Sequence, residues 1–494
     1  MNILGISAGF HDAAATVIDG HGEIVYASHA ERYSKIKNDP NLHPTMFWDL
    51  TEGRHIDHIA YYETPWKKQL RQLYSGQGIE WSQLTARQVL KKQLQGYFTG
   101  VPVSAHSHHM SHAAAGFQTS PFKRATVVVI DAIGEWDTIS IWGAHYVNGR
   151  AQYHKLWGQQ YPHSIGLFYS AMTDRIGLRP MDEEYITMGM SAYGRQAPRL
   201  VPAIRRDFLQ SVNQVEFCQN LHAGIDPDYM SEETPEDIAN ATQIVTEELI
   251  YTVMQRARDF GWSSNLCYMG GVALNCLANR NLSEYFENVW IMPNPGDAGS
   301  SLGAAALAWG GPVNFTNAFL GRDIPGAYPV DDIVNSLLHD KICGVASGRA
   351  EFGPRALGNR SLLADPRGPD IKDRVNEIKR RQQFRPFAPV VLEEYADLYF
   401  DIPDGFCDTS YMQVVGRCRR PDLFPAITHV DGTSRIQTVP ANGTGIRRLL
   451  EKWYKRTGCP MLLNTSLNIR GEPMVNDRTD ADRFEKLYGV TVCS

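Results

Sequence analysis

The sequence predicts a mixed α/β protein with two domains. Two observations predict the α/β class: a strand–turn–strand pattern occurs twice in the first third of the chain, and two strand–turn–helix units follow it. A third observation, a segment rich in Gly, Pro and Asn at 311–332, predicts a linker before a second domain. A chain of 494 residues is long enough for domains with sizeable cores. We therefore expect domains at 1–330 and 331–494.

The composition, 43% hydrophobic and 21% charged residues, is ordinary for a globular protein. A formal net charge of −6 argues against general nucleic-acid binding and against a basic membrane-binding surface. The eight cysteines show no C-x-x-C spacing, which favours a reducing compartment. The N-terminus lacks the basic start of a signal peptide. No apolar run is close to the length of about 20 residues that a membrane-spanning helix needs. We therefore expect a cytoplasmic protein.

The first strand–turn–strand pattern reads NILGIS, the turn GFHD, AAATVID, the turn GHG and EIVYAS. A similar layout returns at 125–156, and sliding one on the other aligns Gly9 with Gly134 and Asp12 with Asp137. The offset predicts a duplicated subdomain. Duplicated subdomains that each open with a β-hairpin facing a cleft resemble the actin and sugar-kinase superfamily, in which those turns hold nucleotide phosphates.

A long amphipathic helix follows, with Thr234 as N-cap and Pro235 at its first position, and it should belong to the core. The next two units, NLCYMGGVALNCLANR and VWIMPNPGDAGSSLGAAALAW, place glycines where a strand leads into a helix. Such turns present backbone N–H groups to a phosphate or carboxyl-like group, although tight packing without a ligand explains them too. Asp297 would repel a phosphate there unless a metal lay between them, which makes it a candidate metal ligand.

Four histidines occur within the stretch HSHHMSHAAAGF at 106–117. His108 and His112 are four residues apart, so a helix places both imidazoles on one face, close enough to share a metal ion. His106 and His109 then point elsewhere. Metal-binding helices of the zincin type use the same spacing but add a glutamate that is missing here. Before any resemblance is considered, a metal site and a histidine cluster that caps or packs the helix both remain open.

The second domain opens with GVASGRAEFGPRALGNRSLLADPR and continues with VNEIKRRQQFRPFAPVV, in which cations alternate with Gly, Pro and Phe. Cations on such turns can be held rigidly toward a polyphosphate. We interpret Arg355 and Lys379 as ligand-binding, and Arg380 and Arg381 as facing solvent. Near the end, MLLNTSLNIRGEP reads as a strand that leads a small polar set into a turn: Asn464, Thr465, Ser466 and Asn468.

Eleven stretches of the chain, in order and over nearly its whole length, resemble the O-carbamoyltransferases of antibiotic and nodulation-factor biosynthesis. They are GFHDAAA, ERYSK, HHMSHAAAGF, IDAIGE, HSIGLFYSAMT, YITMGMSAYG, GGVALN, NPGDAGSSLGAA, EFGPRALGNRS, FRPFAP and LLNTSLNIRGEP. The resemblance implies an actin-like N-terminal domain and a YrdC-like C-terminal α/β domain. It also implies an activity: carbamoyl adenylate is formed from carbamoyl phosphate and ATP in the second domain, and the carbamoyl group passes to an alcohol in the first.

The resemblance implies a metal centre in the first domain that holds iron(II), or another divalent metal, through His108, His112, Asp131 and Asp297. Two imidazoles and two carboxylates form a hard site of the kind that suits iron(II) or manganese. The same cleft is expected to be lined by His11, Asp12, Gly271 and Asn275, with His11 or Asp12 as general base for the acceptor hydroxyl. In the second domain, ATP with Mg is expected to lie among Arg355, Lys379, Arg435, Asn464 and Ser466.

The acceptor hydroxyl is left open among small molecules, sugars and nucleosides. The stretch 38–100 carries aromatics beside lysines, which could stack a sugar or a nucleobase but are explained equally well by surface packing. Two other classes compete: an enzyme similar to the tRNA threonylcarbamoyl-transferases, and a sugar kinase or ATPase of the actin-like superfamily. The kinase hypothesis leaves the FGPRALGNR and NTSLN segments without a role. A homodimer is also left open.

Overall fold

A computed structural model describes all 494 residues of the protein. The chain forms two compact units. Unit 1 comprises Met1–Ala30 and Asn38–Thr316, and unit 2 comprises Glu31–Lys37 and Asn317–Ser494. The short segment Glu31–Lys37 thus belongs to unit 2 although the residues on both sides of it belong to unit 1. None of the helices combines the length and the apolar composition that crossing a membrane would need.

The first half of unit 1 is built on a five-stranded sheet. Its strands are β1 (Ile3–Ser7), β2 (Ala14–Ile18), β3 (Ile24–His29), β4 (His58–Tyr61) and β5 (Val103–Ala105). The strand order is β3-β2-β1-β4-β5, with β1 to β3 as antiparallel hairpins and β4 and β5 parallel to β1. The helices in this stretch of the chain are α1 (Glu31–Ser34, in unit 2), α2 (Met46–Thr51), α3 (Pro65–Tyr74), α4 (Ala86–Leu94) and α5 (His108–Thr119).

The second half of unit 1 repeats this plan. Its strands are β6 (Arg124–Gly134), β7 (Asp137–Val147), β8 (Arg150–Gln160), β9 (Leu209–Ser211), β10 (Glu216–Phe217), β11 (Asn265–Met269) and β12 (Asn288–Trp290). Its helices are α6 (Ile165–Arg175), α7 (Glu184–Met190), α8 (Ala197–Phe208), α9 (Pro235–Asp259), α10 (Cys276–Asn279) and α11 (Ser300–Trp309). The main sheet runs β8-β7-β6-β11-β12, and its strand directions match those of the first sheet one for one. The predicted duplication is confirmed.

The predicted core helix is α9. Thr234 caps it by accepting a hydrogen bond from the Asp237 N–H at 3.2 Å, and Pro235 is its first residue. The first strand–turn–helix unit differs from the prediction, because β11 leads into a 3-10 turn at Gly271–Leu274 and then into the one-turn helix α10. Asn275, with ψ of 85°, interrupts the helical path between them. A helix this short has little dipole to offer a ligand.

Unit 2 contains eleven strands: β13 (Phe319–Ile324), β14 (Ile342–Ala346), β15 (Gly348–Glu351), β16 (Arg360–Ala364), β17 (Ala388–Leu392), β18 (Phe400–Asp401), β19 (Val415–Cys418), β20 (Thr433–Arg435), β21 (Gln437–Val439), β22 (Met461–Ser466) and β23 (Val492–Cys493). Six of them form its main sheet, of order β21-β17-β22-β16-β14-β23. Its remaining helices are α12 (Val330–Asp340), α13 (Ile371–Ile378), α14 (Glu393–Tyr399), α15 (Gly445–Thr457) and α16 (Arg478–Tyr488). The segment 311–332 is not only a linker, since its glycines and prolines mostly flank β13, which pairs with β15.

Helices α5 and α11 pack directly on each other in the core of unit 1, and α11 also packs on β1. Their backbones approach so closely that a Cβ on Gly303 would lie 1.7 Å from the Ser111 carbonyl oxygen. A Cβ on Gly5 of β1 would lie 1.9 Å from the Ser301 carbonyl oxygen. Glycine at these positions therefore sets the distance between the histidine-bearing helix α5 and the start of α11.

We expect Gly303→Ala to lower the free energy of unfolding by about 3 kcal/mol, the upper end of the range for overpacked cores, because the new methyl group meets backbone that cannot rotate away. The matched control is Gly189→Ala in α7, where a Cβ meets nothing within 4 Å. That change should be neutral or stabilising by about 0.5–1 kcal/mol. Thermal and urea unfolding of both variants measure the difference, and equal stabilities would contradict the close packing described here.

Candidate functional site

Four buried side chains from separate parts of unit 1 meet at one point. His108 and His112 lie one turn apart on α5, Asp131 lies in β6, and Asp297 begins the 3-10 turn before α11. One ligand atom from each side chain, an imidazole nitrogen or a carboxylate oxygen, lies within 4.8 Å of all the others. The structure thus brings together the four residues expected to bind a metal.

The distances within this cluster are those of direct contacts. His108 Nε2 lies 3.1 Å from Asp131 Oδ2, and His112 Nε2 lies 3.3 Å from Asp297 Oδ1. The two Nε2 atoms are 3.1 Å apart. Two imidazole nitrogens and two carboxylates that converge in this way need a cation among them, either a proton or a metal ion.

Neighbouring backbone groups orient two of these side chains. His112 Nδ1 lies 3.1 Å from the Pro295 carbonyl oxygen, so an Nδ1–H donates there and leaves the Nε2 lone pair directed into the cluster. The Gly271 N–H donates to Asp131 Oδ1 at 3.2 Å. These are the outer contacts that metal-binding histidines and carboxylates usually make.

Burial alone disfavours charge on every member of the cluster, yet the mutual contacts outweigh it. Burial lowers the pKa of His108 and His112, but the carboxylates of Asp297 and Asp131 raise both above the ordinary value. Burial raises the pKa of Asp131 and Asp297, but the two imidazoles hold both well below the usual range. The cluster therefore strongly favours positive charge between its two carboxylates.

His11 and Asp12, the two candidates for a general base, lie beside the cluster in the turn between β1 and β2. His11 Nδ1 lies 3.0 Å from Asp12 Oδ2, and its Nε2 lies 3.7 Å from Asp297 Oδ2. Asp12 has φ of 49°, in the left-handed region that Asn and Asp adopt more readily than most residues. Burial lowers the pKa of His11, but Asp12 and Asp297 together raise it to about 9. Their side chains keep 26% and 34% exposure, so a substrate can reach both.

Gly271 and Asn275 were also expected to line the cleft. The Gly271 N–H is engaged by Asp131, as described above. Asn275 exchanges two amide hydrogen bonds with Gln243, at 3.0 and 3.1 Å, and accepts the Ala278 N–H at 3.1 Å. Gly271 thus contacts the cluster directly, whereas the side-chain contacts of Asn275 are with Gln243 in α9 and Ala278 in α10.

Glu135 is a residue of the site to which the sequence assigned no role. Its Oε1 accepts the His108 N–H at 3.2 Å and the Thr64 N–H at 2.6 Å, so one carboxylate joins the start of α5 to the start of α3. Burial raises the pKa of Glu135, and the two N–H donors offset part of that rise. The sequence feature that could have identified Glu135 is an acidic residue in the turn between β6 and β7, where the structure gives it φ of 60°.

In unit 2 the structure brings Lys379 and Ser466 together. Lys379 is buried, and its Nζ donates to the carbonyl oxygens of Ser466 and Asn468, at 2.5 and 2.8 Å, and to both side-chain oxygens. None of these acceptors is charged. Burial, together with the nearby charges of Arg381 and Arg385, holds the pKa of Lys379 well below its ordinary value.

The other predicted residues of unit 2 differ in exposure. Asn464 is buried in β22, and its Nδ2 donates to the carbonyl oxygen of Ala356 and to Gln437 Oε1, whereas its Oδ1 has no partner. Arg355 and Arg435 are half-buried, on the EFGPRALGNRS turn and at the end of β20.

The two arginines expected to face solvent behave differently. Arg380 is exposed, as predicted. The prediction was wrong for Arg381, which is half-buried, lies 4.2 Å from the ring centre of Phe387 and donates from Nε to Asn376 Oδ1 at 2.6 Å. The aromatic ring and the amide provide an alternative to solvent for its guanidinium.

Two family models match the chain. Residues 2–306 match the model described as carbamoyltransferase N-terminus, and residues 334–492 match carbamoyltransferase C-terminus. The chain is 31% identical to nodulation protein NolNO of Sinorhizobium fredii, over 95% of this chain and 76% of that protein. It is 29% identical to 3'-hydroxymethylcephem-O-carbamoyltransferase of Amycolatopsis lactamdurans, over 97% and 96% of the two chains.

Among solved structures, the chain is similar to component A of (R)-2-hydroxyglutaryl-CoA dehydratase from Acidaminococcus fermentans. The identity is 15%, the TM-score is 0.34, and the match covers 63% of this chain and 98% of that one. A similarity of this size does not define the fold, which is given by the strand orders above. The two family models together span nearly the whole length, with the four-residue cluster inside the N-terminal match. The chain therefore belongs to the carbamoyltransferase family and is a transferase enzyme.

Proposed function

We propose that the protein is an ATP-dependent O-carbamoyltransferase. Unit 2, expected to be YrdC-like, forms carbamoyl adenylate from carbamoyl phosphate and ATP, with Mg bound to the nucleotide. Unit 1, expected to be actin-like, transfers the carbamoyl group to the hydroxyl of a small-molecule, sugar or nucleoside acceptor. The observation that carries the proposal is the buried His108–His112–Asp131–Asp297 cluster beside His11 and Asp12, within a chain of this family.

The residues of the cluster fit a divalent metal, for which we propose iron(II). Their donor atoms are two imidazole nitrogens and two carboxylate groups, all buried and all within reach of one ion. His112 is already held by Pro295 in the tautomer that a metal needs. When bound, such an ion would supply Lewis-acid polarisation of the carbamoyl carbonyl and a positive charge for the adenylate phosphate.

In the transfer step, the acceptor oxygen attacks the carbamoyl carbon, the bond from that carbon to the adenylate oxygen breaks, and AMP leaves. The hydroxyl proton must pass to a base, and the His11–Asp12 pair lies accessible beside the cluster. Because Asp12 and Asp297 raise the pKa of His11 to about 9, His11 is mostly protonated near neutral pH, so the Asp12 carboxylate is the base there and neutral His11 takes that role only at higher pH. Asp12 holds the imidazole of His11 from its Nδ1 side, which leaves Nε2 facing the cluster and the acceptor. The relative named as an O-carbamoyltransferase supports a hydroxyl as the acceptor.

In the activation step, water releases phosphate from carbamoyl phosphate, and a carbamate oxygen attacks the α-phosphorus of ATP as pyrophosphate leaves. Lys379 and Arg355 are the cations proposed to stabilise the negative charge that develops on the leaving pyrophosphate. Lys379 fastens the turn of Ser466 and Asn468, so it shapes the site as well as contributing charge. Asn464 Oδ1 and Arg435 are proposed to complete the nucleotide site.

The test is incubation of the protein with ATP and carbamoyl phosphate, followed by separation of the nucleotides. We expect AMP and pyrophosphate, whereas a sugar kinase or ATPase would give ADP and phosphate. A mass-spectrometric screen of hydroxylated metabolites should then show the gain of one carbamoyl group. Bulk tRNA in the same screen tests the threonylcarbamoyl-transferase alternative. Production of ADP without AMP would overturn the proposal.

A further inference from the structure

Arg71, in the last turn of α3, is a buried cation with no acidic side chain within ion-pair distance. The residue keeps 6% of its surface exposed, and its Nε and Nη1 atoms are buried with no hydrogen-bond partner. The one ring contact of its guanidinium is with Tyr161, at 5.8 Å from the ring centre. A buried guanidinium without hydrogen-bond acceptors is costly, so an arginine kept in this state calls for a ligand or a packing role.

The other two cations of α3 already have partners. Lys68 Nζ lies 2.9 Å from Glu63 Oε1, and Lys67 Nζ lies 3.7 Å from Glu135 Oε2. Glu63, whose charge acts on Arg71, also accepts the Tyr61 hydroxyl at 3.3 Å. The helix therefore carries one positive charge in excess, and that charge is on Arg71.

The same helix is tied to the metal cluster. Thr64, its N-cap, shares the Glu135 carboxylate with the His108 N–H. Arg71 follows Thr64 by seven residues, which is about 10 Å along a helix.

A second connection reaches the base candidates. Lys68 Nζ lies 5.3 Å from the ring centre of Phe10, and the Phe10 and His11 rings are 4.7 Å apart. Phe10 is 52% exposed, so the ring that lies between Lys68 and His11 is accessible from solvent.

We propose that Arg71 binds an anionic group, a carboxylate or a phosphate, on the acceptor whose hydroxyl reacts beside His11 and Asp12. The guanidinium presents N–H donors in a planar fork that matches both oxyanions. This inference rests on the proposed function and narrows it to acidic acceptors. If Arg71 instead had a purely structural role and packed on Tyr161, its replacement by Met would lower the stability of the ligand-free protein.

The test compares wild type, Arg71→Met and the control Arg87→Met, which removes an exposed arginine from the neighbouring helix α4. Acceptors are supplied as matched sets: glucose with glucuronate and glucose 6-phosphate, and uridine with uridine monophosphate. We expect carbamoylation of the acidic members in preference to the neutral ones. Arg71→Met should raise the KM for the acidic acceptor at least tenfold, while AMP release and the KM for carbamoyl phosphate stay unchanged.

Two readouts that need no turnover complete the test. Without ligand, Arg71→Met should unfold at the same temperature as wild type or higher, because an unpaired buried charge is removed. Inorganic phosphate and acetate should raise the unfolding temperature of wild type more than that of Arg71→Met. These readouts judge the anion site even if no AMP is formed and the proposed function fails.

Several results would overturn the inference. Equal carbamoylation of neutral and acidic acceptors would remove the need for an anion site. A loss of stability in Arg71→Met, with anion effects equal to those of wild type, would assign Arg71 to packing on Tyr161. A raised KM for carbamoyl phosphate instead of the acceptor would assign the oxyanion to the donor.

Discussion

His108→Ala and His112→Ala are each expected to abolish most iron binding and to lower carbamoyl transfer by more than about 100-fold. Each change removes one of four buried ligand atoms and leaves Asp131 and Asp297 as close carboxylates with less positive charge between them. Substituting outer partners of metal sites already costs 10–100-fold, so loss of a ligand should cost more. Metal content by elemental analysis and transfer by mass spectrometry measure the two effects.

The matched control is His106→Ala, which removes a histidine from the same stretch. His106 Nε2 contacts Ser104 Oγ at 3.2 Å, and the residue is not part of the cluster. Metal content and transfer should stay at wild-type levels in this variant. Wild-type protein that contains no transition metal, and whose transfer is unaffected by chelators, would contradict the assignment.

The second large effect is a separation of the two half-reactions. Arg355→Ala and Lys379→Met remove cations from unit 2 and should lower AMP and pyrophosphate formation by about 100-fold or more, since each is proposed to stabilise the leaving pyrophosphate. Both variants should regain transfer when synthetic carbamoyl adenylate is supplied. His108→Ala and Asp297→Ala lie in unit 1, so they should still release AMP and pyrophosphate but carbamoylate no acceptor.

Arg448→Ala, which removes an exposed arginine of α15, is the control for loss of charge in unit 2 and should leave both half-reactions intact. Circular dichroism and unfolding temperature should accompany Lys379→Met, because this residue also holds the Ser466–Asn468 turn. If all four site variants lost ATP consumption together and adenylate rescued none of them, a single composite site would replace the two proposed here.

The hairpins of unit 1 are predictable from sequence because short β-rich runs are separated by Gly-containing turns, and this pattern is local. The metal cluster is not local. Spacing relates His108 to His112, and a carboxylate on a Gly-rich turn indicated Asp297, although it lies 185 residues from His112. Asp131 was indicated only by the family resemblance. Tertiary contacts also determine the exposure of Arg381, which packs on Phe387 instead of facing solvent.

The burial of Arg71 is also not predictable from the sequence. It belongs to PWKKQLRQLY, a strongly polar helix of the kind usually exposed to solvent, yet it is buried and its guanidinium faces the ring of Tyr161, ninety positions further along the chain. Glu135 likewise acts through the N–H groups of Thr64 and His108, which precede it by many residues. Roles of this kind become visible only once the chain is folded.

The discontinuity of unit 2 has a consequence for how the protein is made. Glu31–Lys37 is the first segment of unit 2 to leave the ribosome, yet the rest of unit 2 begins at Asn317, after roughly 280 residues of unit 1. At about 5–20 residues per second, the wait is on the order of 15 to 60 seconds. Arg32, which in the folded protein is buried and donates to the Gly353 carbonyl oxygen, cannot make this hydrogen bond until Gly353 has been synthesised. Unit 2 thus reaches its native state only after nearly the whole chain has been synthesised, by capturing the first of its segments to emerge.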